Sequence, residues 1–492
     1  PAPVATTPVE LPGMQKLPAE HVQHDVDLAV EILRSVHPGY DRYANSENPE
    51  LLSERNAALS ALRALENPTV YEFYGALSRY AASLRCGHTK TEFPEAVNEW
   101  RNSNPSHLPF RFVTDGQRML VTTAAVLSGL SPGDEIVSIE GIAVPELVSR
   151  VGALTSVDGL TTDTRVALFE EDGDLLGSTL DHYLPVLFGP NTHAALELHR
   201  LGGDQATVRV PLVSFKEWRS LTESSYREDF KTAVHLAFPM PTIGVLTINT
   251  FVNYRDPIDP AAVFRSVVAN ARGNGVKTLI IDLRRNGGGS DGPVLALLRM
   301  LARERFQFMR SAVQTRLDYS DFGAHLKSWD PRALRPDPKT LRQLENGTFE
   351  RIPGPDDIAF QWHDPVEHPF RGDVILLVGP HNSSGVTHLA AKLLDMNRAI
   401  VVGEPTGGSA EGATAGTLFF LTLPNSGVVI RVPVLRQFMN IASFEAGMGV
   451  SPHHSIGPSL RERMAGRDTV MEHAIAIALG AAPPPRPEIL TP

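Results

Sequence analysis

The chain has 492 residues, of which 42% are hydrophobic and 21% charged, and its net charge is -11. This length is too great for one compact core, so two or three globular domains are expected. No apolar run is long enough to cross a bilayer, and no dense Lys/Arg block is present, which argues against nucleic acid or an anionic membrane as the main partner. Cys86 is the single cysteine, so an intrachain disulfide is impossible and the sequence predicts no cysteine-based metal site.

The first segment, residues 1–17, is rich in Pro, Ala and Thr and is predicted to be a flexible stalk. One interpretation is a remnant left by a removed signal peptide, which predicts a periplasmic or secreted protein. The alternative is an arbitrary start of the chain. Residues 483–492 form a Pro-rich tail.

Residues 18–107 are predicted to form an N-terminal helical domain. Apolar residues between Val22 and Leu33 recur at helical spacing, and Pro38 and Gly39 end that helix. Two more helices are predicted over residues 51–65 and 70–84. The last of them ends at a turn that contains Gly87-His88-Thr89.

Residues 108–213 change to the alternating pattern of strands. A hairpin is predicted around Asp115-Gly116, a strand over 135–139, and a second hairpin around 202–204. A helix follows from Pro145, and residues 155–190 are predicted to be a helical insertion of unassigned role.

Residues 214–482 alternate strands with helices. Strands are predicted at 243–250, 277–284, 373–379 and 399–405, and helices lie between them. This alternation predicts a largely parallel sheet with helices packed on it. Residues 310–370 are polar and Pro-rich and show no clear periodicity.

Ser384 is the strongest candidate for a nucleophile. It follows the apolar strand 374–378 and a short loop, at the start of a predicted helix, where α/β folds place ligands. The amide of Gly385 would then lie at a helix N-terminus and donate to an oxyanion. The alternative is that Ser383 or Ser384 only caps the helix.

Three further features suggest chemistry. The run Asn286-Gly287-Gly288-Gly289 directly follows a strand, and its unshielded amides suit a second oxyanion donor, although an ordinary turn is equally compatible. His88 is a candidate base, since His titrates near neutral pH. His381 is a candidate substrate-binding residue, and His388 lies one helical turn beyond Ser384.

Six segments occur in an order that resembles a known family: 37–43, 83–89, 128–141, 279–292, 374–394 and 399–408. The chain is similar to the tail-specific (C-terminal-processing) and tricorn-core serine peptidases. The resemblance implies a multidomain α/β fold: an N-terminal helical cap, a PDZ-like β module over 108–213, and a crotonase/ClpP-like α/β catalytic core over 214–482.

The resemblance also implies site residues. The nucleophile matches Ser384, and Gly385 with Gly287 or Gly288 forms the oxyanion hole. One branch of the family uses a lysine where this chain has Ser409, whereas the tricorn-like branch uses a His that matches His88. That branch adds a Glu, for which Glu445 is the best match, although His453 stands where an Asp is usual.

The function predicted from these residues is serine endopeptidase chemistry on extended or unfolded polypeptides, with Asn286 and His381 contacting substrate and with no metal or organic cofactor. The sequence leaves open whether the chain forms a homo-oligomer. Two alternatives are a ligand-binding protein without catalysis and a crotonase-like acyl-CoA enzyme. The PDZ-like module and the helical cap that carries His88 argue against the second.

Overall fold

The computed structural model describes residues 11–175, 177–222 and 228–481. Most of the predicted stalk and the Pro-rich tail therefore lie outside the described residues. Within these ranges, no helix combines the length and apolarity that a membrane span requires. The fold is a mixed α/β arrangement with several sheets.

The N-terminal helices form where the apolar spacing predicted them. They are α1 (Ala19–Val36), α2 (Pro49–Arg63), α3 (Val70–Ala82) and α4 (Glu95–Ser103), with the short strand β1 (Thr91–Glu92) before α4. Thr69 and Glu72 form a reciprocal capping box that starts α3. After α3 the chain turns through Arg85, whose φ of +55° is left-handed, into the loop that carries His88.

The next region is an antiparallel sheet with three helices. Its elements are β2 (Phe110–Thr114), β3 (Met119–Ala124), β4 (Glu135–Ile139), β5 (Ile142–Ala143), α5 (Val144–Gly152), α6 (Thr164–Glu170), α7 (Thr179–Phe188), β6 (His193–His199) and β7 (Gln205–Pro211). The main strand order is β2-β3-β4-β6-β7. The two predicted hairpins and the helical insertion are thus confirmed.

The chain enters and leaves this region side by side. The backbones of His107 and Val213 exchange two hydrogen bonds of 3.0 and 2.9 Å. These residues flank the predicted boundaries at 107/108 and 213/214. One apolar cluster nevertheless continues from the N-terminal helices through this sheet, so the two regions pack against each other as one core.

The remaining chain builds two large sheets and a separate two-stranded one. Its helices and strands are α8 (Phe215–Arg219), β8 (Val234–Met240), β9 (Ile243–Ile248), α9 (Pro260–Gly273), β10 (Thr278–Asp282), α10 (Asp291–Leu301), β11 (Phe306–Gln307), β12 (Met309–Gln314), β13 (Leu326–Lys327), β14 (Leu341–Gln343), β15 (Phe349–Arg351), β16 (Trp362–His363), β17 (Asp373–Val378), α11 (Ser384–Asp395), β18 (Ile400–Gly403), β19 (Thr414–Thr422), β20 (Val429–Met439), β21 (His454–Ser455), α12 (Leu460–Met464) and α13 (Thr469–Ala478).

The first of these sheets has the order β21-β18-β17-β10-β9-β8. All its neighbours are parallel except β8, which pairs antiparallel with β9 at the edge. Its central strands β10 and β17 are continuous apolar runs, as expected when helices cover both faces. The predicted parallel sheet is confirmed here.

The second sheet corrects the prediction of a largely parallel core. Its order is β13-β19-β20-β12-β15-β14, every pairing is antiparallel, and β1 adds to β20. The long hairpin β19–β20 was not predicted, and β12 to β15 lie partly in the stretch without clear periodicity. The strands in that stretch are too short to show a regular alternation of apolar and polar residues. Along β19 and β20 the exposure of successive residues is irregular, so these strands lack the alternation that predicts a strand.

Candidate active site

Ser384 lies at the turn between strand β17 and helix α11, and we call residues 379–385 the serine turn. Ser384 is the first residue of α11 and is partly exposed. Its φ of +48° is left-handed, which is uncommon for a residue other than glycine and costs roughly 1–3 kcal/mol. Such strain at a strand-to-helix turn persists only where the surroundings hold it, and it is typical of functional positions.

The buried side chain of Asn382 holds the serine turn. Its Nδ2 donates to the carbonyl oxygens of Leu283 and Asn286, and its Oδ1 accepts from the Gly379 amide at 2.8 Å. Its own carbonyl accepts from the Gly408 amide at 2.9 Å. Asn382 therefore joins the loops that follow β10, β17 and β18. The sequence analysis assigned no role to Asn382, because the sequence does not show that this polar loop residue is buried.

The glycine run after β10 lies against Ser384, as predicted. A Cβ added at Gly288, whose φ is +108°, would lie 3.0 Å from the Cβ of Ser384. On the other side, a Cβ at Gly408 would lie 3.0 Å from the Ser384 nitrogen. The Ser383 hydroxyl donates to the carbonyl of Gly287 at 2.7 Å. Only glycine at positions 288 and 408 lets the three segments approach this closely.

Two predicted roles in this run need correction. The Asn286 side chain is fully buried: it donates to the Ile248 carbonyl at 3.1 Å and accepts from the Gly288 amide at 2.8 Å. It supports the loop and is not accessible to a substrate. Because the Gly288 amide is engaged by Asn286, Gly287 is the better of the two candidate oxyanion donors. Gly385, the second residue of α11, precedes the first intrahelical bonds.

His88 lies in the loop 85–89, which we call the histidine loop. Its ring is partly exposed, but Nδ1 is buried and has no hydrogen-bond partner among the described residues. Burial lowers the pKa of His88 below its usual value, and the carboxylate of Asp158 partly opposes this effect.

The histidine loop and helix α11 both contact the short segment 413–414. The Cys86 thiol contacts the Thr414 carbonyl at 3.6 Å, and the ring of His388 accepts from the Ala413 amide at 3.2 Å. Burial lowers the pKa of His388 to about 4, with a further contribution from nearby His88. The histidine loop therefore lies beside the segment that helix α11 contacts, and among the described residues no hydrogen bond joins the His88 ring to the Ser384 hydroxyl.

The structure places the carboxylate of Asp158 beside His88. Asp158 is buried, accepts from the Gly87 amide at 2.7 Å and has its carboxylate within 4.8 Å of the His88 ring nitrogen. It lies in the insertion after α5, to which the sequence assigned no role, and only a commonplace Asp-Gly pair marks it. Among the described residues, the exposed carboxylate of Glu445 makes no hydrogen bond or ion pair, so its predicted contact with His88 is not observed.

Ser409 stands where one branch of the resembling family has a lysine. Its side chain is buried and donates to Glu411 at 3.3 Å. Glu411 forms an ion pair with Arg42 and accepts from the Gly447 amide at 3.1 Å. This network fastens the loop that carries Glu445 to the core. His381, on the serine turn, is partly exposed, and its contact with substrate stays a prediction.

Residues 242–456 match the model of peptidase family S41. The chain contains an S41 peptidase domain. The resemblance identified from six sequence segments is confirmed at this level, and with it the predicted class, a serine peptidase. A search of curated protein sequences gave no significant match.

Solved structures extend the likeness to almost the whole fold. Mature CPAF complexed with lactacystin has a TM-score of 0.62 at 16% identity, covering 91% of this chain and 95% of that one. A second structure of mature CPAF has a TM-score of 0.60 at 16% identity, with coverages of 94% and 98%. At such identity the likeness concerns the fold alone. It includes the helical and antiparallel regions that precede the S41 domain.

Proposed function

We propose that this S41 peptidase cleaves extended or unfolded polypeptides through an acyl-enzyme on Ser384. The observation that carries the proposal is the strained, left-handed serine at the carboxyl end of a buried strand, with glycines packed on both sides of it. A serine that only capped the helix would need neither the positive φ nor these close approaches.

His88 is the proposed base. It accepts the proton of the Ser384 hydroxyl as the oxygen attacks the scissile carbonyl, and returns it to the leaving amine. A lowered pKa keeps the ring neutral, and therefore able to accept a proton, at neutral pH. We assign Asp158 the role of stabilising the imidazolium that forms, because a carboxylate at this distance favours the charged ring.

The oxyanion would be held by the amides of Gly385 and Gly287. Gly385 lies at the N-terminus of α11, where the helix dipole adds to the attraction. Each donor of this kind contributes about 3 kcal/mol to the transition state. The Ser383–Gly287 hydrogen bond supports their mutual position.

The test is a pair of adjacent substitutions. Ser384→Ala should lower kcat by several orders of magnitude on an unfolded protein substrate, with the unfolding temperature retained. Ser383→Ala, which removes only the bond to the Gly287 carbonyl, should keep measurable activity. If Ser383→Ala abolished hydrolysis and Ser384→Ala did not, the nucleophile would be Ser383.

We further propose that residues 108–213 form a PDZ-like module in front of a crotonase/ClpP-like core. A sheet with the edge strands β2 and β7 and flanking helices supports this proposal, since such modules bind peptides by strand addition. A peptide substrate with a C-terminal amide should then have a higher KM than the matched acid. Equal kinetics for both peptides would exclude carboxylate capture.

Export to the periplasm or medium stays a prediction from the composition of residues 1–17. Fractionation of cells followed by immunodetection tests it. Self-association is likewise untested, and light scattering on the eluting protein would measure it.

A further inference from the structure

Three side chains near the histidine loop bring together the atom types that zinc prefers. The Cys86 sulfur, a ring nitrogen of His88 and a carboxylate oxygen of Asp158 all lie within 4.8 Å of one another. Thiolate, imidazole and carboxylate are the common protein ligands of Zn²⁺. Among the described residues, this is the one group of three or more such side chains so closely placed.

The backbone holds these three side chains in place. The Gly87 amide donates to Asp158 Oδ1 at 2.7 Å, and the Gly159 amide donates to the Arg85 carbonyl at 2.8 Å. The histidine loop is closed by a further bond of 3.0 Å from the Thr89 amide to the Cys86 carbonyl. In a tetrahedral zinc site neighbouring ligand atoms lie about 3.3–3.8 Å apart, so the three atoms need to approach each other by at most about 1.5 Å.

An unsatisfied atom points independently to a ligand. His88 Nδ1 is buried without a hydrogen-bond partner among the described residues. Leaving such a group unpaired is unfavourable, and a bound ion removes that penalty.

We propose that Cys86, His88 and Asp158 bind one Zn²⁺, and that this zinc inhibits the peptidase by occupying the base. The inhibitory part rests on the proposed function. On binding, the Cys86 thiol loses its proton to solvent and a Zn–S bond forms, while a nitrogen lone pair of His88 is taken by the metal and no longer accepts the proton of Ser384. Three protein ligands leave the fourth position to water. The exclusion of a cysteine-based site from the sequence is thereby revised, because His and Asp supply the other ligands.

The experiment uses the full chain and two independent measurements. Zinc stoichiometry after equilibrium dialysis, together with the near-ultraviolet thiolate charge-transfer band of the Co²⁺ form, reports the site without any assay of activity. Hydrolysis of an unfolded protein in zinc-buffered solution reports inhibition. The wild-type chain should bind one zinc at this site, show the cobalt band and lose activity as free zinc rises.

Cys86→Ser and Cys86→Ala are the test variants, because they remove the thiolate and leave Ser384, His88 and Asp158 in place. Each is compared with its own activity measured without zinc: it should lose the cobalt band and need at least about tenfold more zinc for half-inhibition. His454→Ala is the matched control, since His454 and His473 form an exposed pair with ring nitrogens 3.3 Å apart that could bind zinc adventitiously. It should leave the cobalt band and the inhibition unchanged.

Each outcome decides a separate point. An unchanged zinc stoichiometry and cobalt spectrum in both Cys86 variants would overturn the site. Loss of the site without any change in zinc inhibition would overturn the inhibitory role. A wild-type chain that binds zinc at Cys86 but hydrolyses no peptide, with or without metal, would refute the proposed function and leave the site standing.

Discussion

The serine turn and the histidine loop are held by different means. The serine turn is enclosed by its own domain: Asn382 joins three loops after neighbouring parallel strands, and Gly288 and Gly408 pack against the serine itself. The histidine loop comes from the N-terminal region and is held by single bonds to distant segments, such as that between Gly87 and Asp158 and that between Cys86 and Thr414.

This difference indicates how the two parts of the proposed site should respond to substitution. A rigid nucleophile needs many local contacts, since its strained backbone is retained only if the surroundings over-determine it. A base needs a controlled charge and orientation, and a few long-range contacts supply both. Substitutions in the serine turn should therefore alter geometry, whereas substitutions around the histidine loop should alter charge.

The largest effect is expected from Asp158. Asp158→Asn keeps the size of the side chain but removes the charge that stabilises the protonated base, so kcat should fall by about 10²–10⁴-fold, as for comparable acidic partners of a catalytic His. Steady-state kinetics on an unfolded protein measure this.

The matched control is Glu445→Gln, which replaces an exposed carboxylate and should keep kcat within about threefold of wild type, as a surface change does. A large loss in Glu445→Gln with little loss in Asp158→Asn would reverse the assignment and restore the residue that the sequence resemblance implied.

A smaller effect is expected in the serine turn. Gly288→Ala places a Cβ 3.0 Å from the Cβ of Ser384 at a residue with φ of +108°. Displacing the serine from its attacking position should lower kcat by about 10–100-fold and the stability by roughly 1–3 kcal/mol.

Gly292→Ala on the neighbouring helix α10 is the control, because its Cβ would meet only Pro260 at 3.9 Å. It should retain activity and unfold at the wild-type temperature or above. Equal activity of the two glycine variants would mean that the turn yields easily, contrary to the rigidity inferred here.

The smallest effect concerns acid stability near the histidine loop. His37 is buried, accepts from the Gly39 amide at 3.0 Å through Nδ1, and bonds the Thr89 hydroxyl at 2.9 Å through Nε2. Burial lowers the pKa of His37 to about 3, with smaller contributions from Arg42 and His88. Below about pH 6.5 His37 becomes protonated in the unfolded chain but stays neutral in the folded chain. The free energy of unfolding therefore falls as the pH decreases.

This loss amounts to at most about 1.4 kcal/mol per pH unit from His37 alone. His37→Asn keeps an acceptor for the Gly39 amide but cannot be protonated, so its unfolding free energy should decline less steeply between pH 6.5 and 4.5. Urea titrations at several pH values measure the slopes. The exposed His235→Asn should follow the wild-type slope, and identical slopes for His37→Asn and wild type would contradict the assignment.

Local pattern was sufficient for much of this molecule. The helical spacing of residues 22–33, the apolar strands β10 and β17 and the turn at Ser384 are properties of neighbouring residues, and they were predicted within a few positions. The order of six short segments indicated the S41 peptidase class. The glycine run was rightly placed beside Ser384, because loops after adjacent parallel strands meet at the same edge of a sheet.

Tertiary structure decided the rest. Asp158, Asn382 and the engaged amide of Gly288 acquire their roles from residues far away in the chain, and burial, which sets both the pKa of His88 and the inaccessibility of Asn286, is not a property of local sequence. The antiparallel sheet around β19 and β20 was missed for the same reason, since strand pairing depends on partners and not on the strand alone. The sequence by itself determined the peptidase class and made Ser384 and His88 candidates, whereas only the fold shows that the carboxylate of Asp158 lies beside His88.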